Sequence, residues 1–171
     1  MLLDGGVYAD ADTSALEPVS AWGKNYTDIT PEPYASLLRQ HLGAAAADQS
    51  TPFDDSSISV ILAIEVDSLR KGAKIAWIHK WYARWVQICQ WTFAARPYHP
   101  IFLDMLETIH SRWLRQSFDA QDRQESLTEA LEFTGPGPFT DAVFRYLRFQ
   151  YGITPKDVAA HRGPVRIGDI L

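Results

Sequence analysis

The stretch SISVILAIEVD, residues 57 to 67, does most to limit what this chain can fold into. It is apolar and β-branched, and it ends in two acids, Glu65 and Asp67. Such a run suits a strand, and one this continuous suits a parallel strand covered on both faces. Its apolar centre, VILAI, is the longest apolar run of the chain and falls well short of the roughly 20 residues needed to cross a bilayer. The 171 residues suffice for one domain with a sizeable core.

Around this strand, MLLD (1–4) reads as a last turn stopped by Gly5 and Gly6, and VYADAD reads as a short strand running into a loop. Residues 23 to 57, with two prolines, a helical candidate YASLLRQHL (34–42) and the small, polar GAAAADQSTPFDDSS, read as a loop insertion. KIAWIHKWYARW (74–85) has no clear type. VQICQWTFAA (86–95) is read as a strand closed by RPYHP, and IFLDMLETIHSRWL (101–114) has the apolar spacing of a helix. SLTEALEF (126–133) is a short helix, TGPGPFT (134–140) a rigid loop, and DAVFRYLRFQYG (141–152) a helix capped by Thr140 or Asp141 and stopped by glycine. VRIGDIL (165–171) begins a strand. The expected class is therefore α/β.

Composition removes several functions. A net charge of -5 opposes general nucleic-acid binding, which needs a basic face against phosphates. Cys89 is the only cysteine, so neither an internal disulfide nor a cysteine-built zinc site can form. No basic region followed by an apolar stretch opens the chain, so no signal peptide is read, and a membrane anchor would have to lie outside these residues.

The most acidic short motif is GGVYADADT at 5 to 13. Two carboxylates spaced by two, leaving a strand, can face one hard divalent cation that keeps open positions for phosphates. A solvated acidic loop is the other reading. A calcium loop starting at Asp10 fails, because Ala15 and Ala21 stand where glycine and glutamate are needed. A phosphatase with Asp10 as nucleophile keeps D-x-D but has Ser14 in place of threonine, with only Gly168-Asp169 left of its late acidic motif.

Several segments together resemble glycosyltransferase family 32, in its fungal mannosyltransferase branch: GGVYADADTSALEPV, VILAIEVD, QICQWTFAARPYHPIF and LEFTGPGPFTDAVFRYL, in that order. The resemblance implies a GT-A fold, a mixed and mostly parallel sheet between helices, incomplete here. It implies GDP-mannose as the nucleotide sugar donor, a manganese (or magnesium) ion, a mannose-bearing glycan acceptor and transfer with retention, in N-glycosylation on the lumenal side of the Golgi membrane. Asp12 would bind the metal, and Asp10 the metal or the donor ribose. Gly6 and Tyr8 would shape the donor pocket. Gln90, Trp91 and Thr92 would lie near the reacting sugar; Thr134, Gly135 and Asp141 would lie on the acceptor side. Glu65 and Asp67 would orient the acceptor hydroxyl. For Trp91 the alternative is a core tryptophan, for Thr134, Gly135 and Asp141 a helix-entry turn and cap, and for Glu65 and Asp67 exposed strand-end acids. His99 is read as a structural turn histidine. Family members carry a Ser-Asp-x-x-Arg helix before the double glycine and a histidine-bearing tail after the last strand. This chain has only MLLD before it and ends at VRIGDIL. It is therefore expected to be the middle of a transferase, with little activity alone.

Overall fold

A computed structural model describes residues 1–31, 58–69, 81–119 and 127–171. The helical candidate at 34–42 and most of KIAWIHKWYARW lie outside them.

The long apolar run does not form one strand. It divides into β3 (Val60–Ile61) and β4 (Ile64–Asp67), parted at Leu62 and Ala63. VQICQWTFAA likewise divides into β5 (Val86–Ile88) and β6 (Thr92–Ala95). β6 is the centre of a three-stranded sheet, with β1 (Gly6–Ala9) on one side and β3 on the other. β4 pairs with β5, and β2 (Thr27–Asp28) with β7 (Val165–Arg166).

The mixture of helix and strand fits the expected α/β class, but the expectation of a mostly parallel sheet is corrected. Among the described residues β1–β6, β3–β6 and β4–β5 run antiparallel, and β2–β7 is the parallel pair. The physical reason lies in burial. A parallel strand is covered on both faces, whereas here Val60 is fully buried and Ile64, at the other end of the same run, is 43% exposed. All four residues of β1 are exposed.

Helices pack against the core strands. α1 (Pro100–Asp119) contains the expected 101–114 helix, and α2 (Leu127–Phe133) matches SLTEALEF. α3 (Pro136–Tyr151) starts earlier than expected, so TGPGPFT is mostly its first turn and not a separate loop. Gly135 is its N-cap residue, in place of the expected Thr140 or Asp141. Pro136 and Pro138 fill the first turn, where an N–H would have no helical partner. Thr140 is buried and accepts a hydrogen bond from the backbone N–H of Ile88 at 2.9 Å, fastening α3 to β5. Gly152 (φ 71°) ends α3 as the sequence suggested. A short α4 (Pro155–Ala159) follows, opened by a Thr154–Asp157 capping box.

The core lies between strands and helices. Val60, Val86, Ile88 and Phe93 meet Ile101, Phe102 and Met105 of α1 and Phe139, Val143 and Leu147 of α3. The C-terminal residues close the far side: Leu171 donates to Val60 O and Leu62 donates to Leu171 O. Residues 23–31, inside the expected insertion, include β2. Thr30 Oγ1 there accepts from the N–H of Gly168 at 2.7 Å. No helix among the described residues is long and apolar enough to cross a membrane.

Candidate functional site

The β1–β6 pairing sets Tyr8 opposite Phe93 and Ala9 opposite Thr92. Beyond the last pair the backbone N–H of Asp10 donates to Trp91 O at 2.9 Å. The acidic segment and the QWT segment, far apart in sequence, are thereby held side by side at one end of the sheet. A cleft of about 490 Å³ opens there. Its polar residues are Tyr8, Asp10, Glu65, Gln90 and Trp91. Its apolar wall comes from Phe93, Phe102, Met105, Leu131, Pro136 and Phe139. A half-apolar cleft with a few convergent polar groups suits a ligand that has both kinds of face, as a sugar does.

Each polar group is oriented by a named partner. Tyr8 donates its phenolic proton to Asp10 Oδ1 at 2.6 Å, and its ring stacks on Phe93 with centroids 5.3 Å apart. That bond and the negative charge of Asp10 push the Tyr8 phenol above its ordinary value. Glu65 is the surplus residue of an irregularity in β4: Ile64 pairs with Ile88 and Val66 with Gln87, leaving Glu65 unmatched. Bulges of this kind re-aim a side chain. The Glu65 carboxylate faces the cleft, where Oε2 accepts from Gln87 Nε2 at 2.8 Å and Oε1 from the Trp91 indole at 3.3 Å. Gln90 Nε2 donates to the carbonyl of Thr134 at 2.8 Å, tying the cleft to the junction between α2 and α3.

Tyr8, Asp10, Glu65, Gln90 and Trp91 are therefore brought together, and Thr134 joins them through its backbone. The remaining residues singled out in the sequence stand elsewhere. Asp12 is exposed in the turn after β1, close in sequence to Asp10 but outside the cleft lining. Gly6 pairs with Ala95, at the opposite end of β1. Asp67 and Thr92 line a second, larger cavity between the sheet and the C-terminal segment. Asp67 Oδ1 is buried there without a hydrogen-bond partner among the described residues. The surplus residue in β4 explains why Glu65 and Asp67, two positions apart, do not share a site.

Asp141 is engaged by Arg84, whose Nε and Nη2 reach its two oxygens at 2.7 and 2.6 Å. The same guanidinium holds Glu132 at 2.6 and 3.0 Å. Hydrogen bonds to Asp141 and Glu132 outweigh its burial and push Arg84 further above its already high value. Gly135 is placed by sterics: a Cβ there would lie 2.8 Å from Leu131 Cα. The α2–α3 junction therefore needs the glycine whatever the site does.

His99, read as structural, is fully buried, with Nε2 2.9 Å from Asp169 Oδ2, while Tyr146 donates to Oδ1 of the same carboxylate at 2.9 Å. Asp169, the remnant of the phosphatase motif, is spent on these two partners and does not line the cleft of Asp10. Sequence reading missed the apolar wall and Arg84 and Gln87. A glutamine inside the apolar run VQIC was the one signal for Gln87.

A hard cation that prefers oxygen ligands can be held by one or two carboxylates when substrate phosphates and water complete its shell. Asp10 and Asp12 supply hard oxygen ligands in that number. No group of three His, Cys, Asp or Glu side chains suited to a metal exists among the described residues. Among the described residues the donor set does not amount to a closed protein cage.

Comparison with known proteins gives the class first: the chain is similar to hexose-transferring enzymes, specifically to mannosyltransferases. The particular relatives are initiation-specific alpha-1,6-mannosyltransferases. That of Schizosaccharomyces pombe is 31% identical over 173 residues, covering 100% of this chain and 35% of the relative. That of Candida albicans is 30% identical, covering 84% of this chain and 31% of the relative. That of Saccharomyces cerevisiae is 24% identical, covering 84% and 36%. The chain spans about a third of the length of these curated relatives. No protein-family model and no solved structure matches it.

Proposed function

We propose that this chain carries part of a glycosyltransferase site, which moves mannose from GDP-mannose to a mannose-bearing glycan with retention. The observation that carries the reading is the joining of Asp10 to Trp91 at the mouth of a cleft that also holds Glu65, in a chain whose relatives are named mannosyltransferases. In this reading the chain supplies the diphosphate side through the acidic turn and the sugar side through the cleft. N-glycosylation, a GT-A arrangement and the lumenal side of the Golgi membrane belong to the same proposal.

Asp10 and Asp12 would hold a manganese or magnesium ion, which would supply positive charge against that of a departing diphosphate. Tyr8 steers the Asp10 carboxylate and so presents its second oxygen outward. The indole of Trp91, 43% exposed, offers an apolar face to a sugar ring. Glu65 accepts a hydrogen bond from a sugar hydroxyl, its own geometry being fixed by Gln87 and Trp91. Phe93 and Phe139 exclude water from the floor.

The test is GDP binding by the purified chain with and without manganese. Manganese-dependent binding lost in Asp12→Ala is the expected result. Binding of mannosides that ignores both Asp10→Ala and Asp12→Ala overturns the transferase reading in favour of a glycan-binding module. Phosphatase activity lost on Asp10→Asn overturns it in favour of hydrolysis.

A further inference from the structure

We infer that Gln87 is a positioning residue for the cleft carboxylate, and that its orientation is set by the backbone that Arg84 clamps to α2 and α3. Gln87 is 1% exposed, inside an otherwise apolar strand. A buried amide is costly unless its hydrogen bonds are made. Here both ends are engaged: Oε1 accepts from the backbone N–H of Ala83 at 2.8 Å, and Nε2 donates to Glu65 Oε2 at 2.8 Å.

The direction of this bridge is forced. A backbone N–H can only donate, so the amide oxygen must face Ala83 and the amino group must face Glu65. The bridge therefore always presents a donor to the carboxylate, and it leaves the other oxygen, Oε1, aimed at the Trp91 indole. Ala83 is held in turn, since Arg84 Nη1 donates to Ala83 O at 2.7 Å while the guanidinium grips Glu132 and Asp141. Two helices, one loop and the cleft are joined in a single hydrogen-bonded series that ends on Glu65. Such a series matters because a bulged, partly solvated carboxylate has no strand neighbour of its own to fix its rotamer.

The consequence for sugar binding rests on the mannosyltransferase reading; the hydrogen-bonded geometry does not. The experiment separates the two. The 171-residue chain is labelled with nitrogen-15, and the Trp91 indole resonance is assigned with Trp91→Phe. Methyl α-mannoside is the binding probe. Gln87→Glu keeps the shape but sets two carboxylates against each other. It is expected to move the Trp91 indole resonance and to weaken mannoside binding about tenfold. Gln87→Glu combined with Glu65→Gln retains every hydrogen bond with the roles reversed, and is expected to return the resonance to its wild-type position. Gln87→Met is expected to move the resonance in the same direction as Glu65→Ala. A folded Gln87→Glu with an unmoved resonance, or a folded double variant that fails to restore it, overturns the proposal; if Gln87→Glu does not fold, Gln87→Met decides in the same way. Restoration of the resonance in the double variant, with a wild-type chain that binds no mannoside, upholds the positioning role and overturns the sugar-binding reading instead.

Discussion

The backbone N–H of Asp10 donates to the carbonyl of Trp91 at 2.9 Å, one step beyond the last pair of the β1–β6 ladder. The acidic turn therefore cannot move away from the cleft without breaking a main-chain bond. The Asp10 carboxylate and the Trp91 indole therefore share one rigid edge.

Trp91 is the first test of that edge. Its side chain is nearly half exposed, so Trp91→Ala should cost less than about 1 kcal/mol of stability, as surface substitutions do. The same change should weaken mannoside binding by up to about tenfold, because stacked aromatic faces contribute roughly 0.5 to 1.5 kcal/mol. Trp91→Phe should retain much of the affinity. Isothermal titration beside a thermal melt separates the two effects; a large loss of stability with unchanged binding would make Trp91 a core residue.

Tyr8 reports on Asp10. Its phenol titrates above the ordinary value near 10, because its proton is shared with the Asp10 carboxylate. Asp10→Asn should bring the midpoint down toward that ordinary value. Saturating magnesium, which is diamagnetic, should also lower it, by withdrawing Asp10 from the shared proton. Selective carbon-13 labelling of the tyrosine ring reads both shifts, and a midpoint unaffected by Asp10→Asn would refute the contact.

Arg84 should behave as a clamp and not as a surface charge. Arg84→Ala leaves Glu132 and Asp141 facing each other, and the expected cost is about 1 to 3 kcal/mol, the lower part of the range being appropriate to partly solvated groups. Lysine cannot span both carboxylates with a fork, so Arg84→Lys should recover only part of this. Urea unfolding of the two variants, beside Arg84→Ala with Asp141→Asn, measures the coupling.

Asp169 gives the fold a dependence on acid. Its burial opposes ionisation, but hydrogen bonds from His99 and Tyr146 prevail and hold the carboxyl below its usual value. A lowered native value means that its contribution is fully present above the ordinary aspartate value near 4 and is lost as pH falls through the lowered one. Asp169→Asn should therefore cost about 1 to 3 kcal/mol at neutral pH. The difference from wild type should shrink as pH falls below about 4. An equal difference at pH 7 and in strong acid would exclude this account.

Much of the framework was legible in the sequence, because its signals are local. The helix at 101–114 shows its apolar spacing, Gly152 its stop, and the acidic turn after β1 its glycines. The assembly of Tyr8 and Asp10 with Gln90 and Trp91 was legible only through resemblance, since no local rule pairs β1 with β6. Three features could not be read. The strand at 57–67 breaks at Leu62 and Ala63, where no turn residue marks it. Asp141 is engaged by Arg84, 57 positions away. Glu65 and Asp67 part because the ladder gains a residue, an event that depends on what β5 does opposite them.

The surplus residue at Glu65 makes the cleft's chemistry a matter of counting. The apolar walls are built by α1, α2, α3 and Phe93 of β6 and do not depend on the spacing within β4. Shortening β4 by one residue would restore strict alternation and withdraw the carboxylate, leaving the aromatic floor unchanged. Chain length between Ile64 and Val66 thus acts as a selector: the same apolar basin can be given an acid or denied one by a single codon, with no side chain elsewhere replaced.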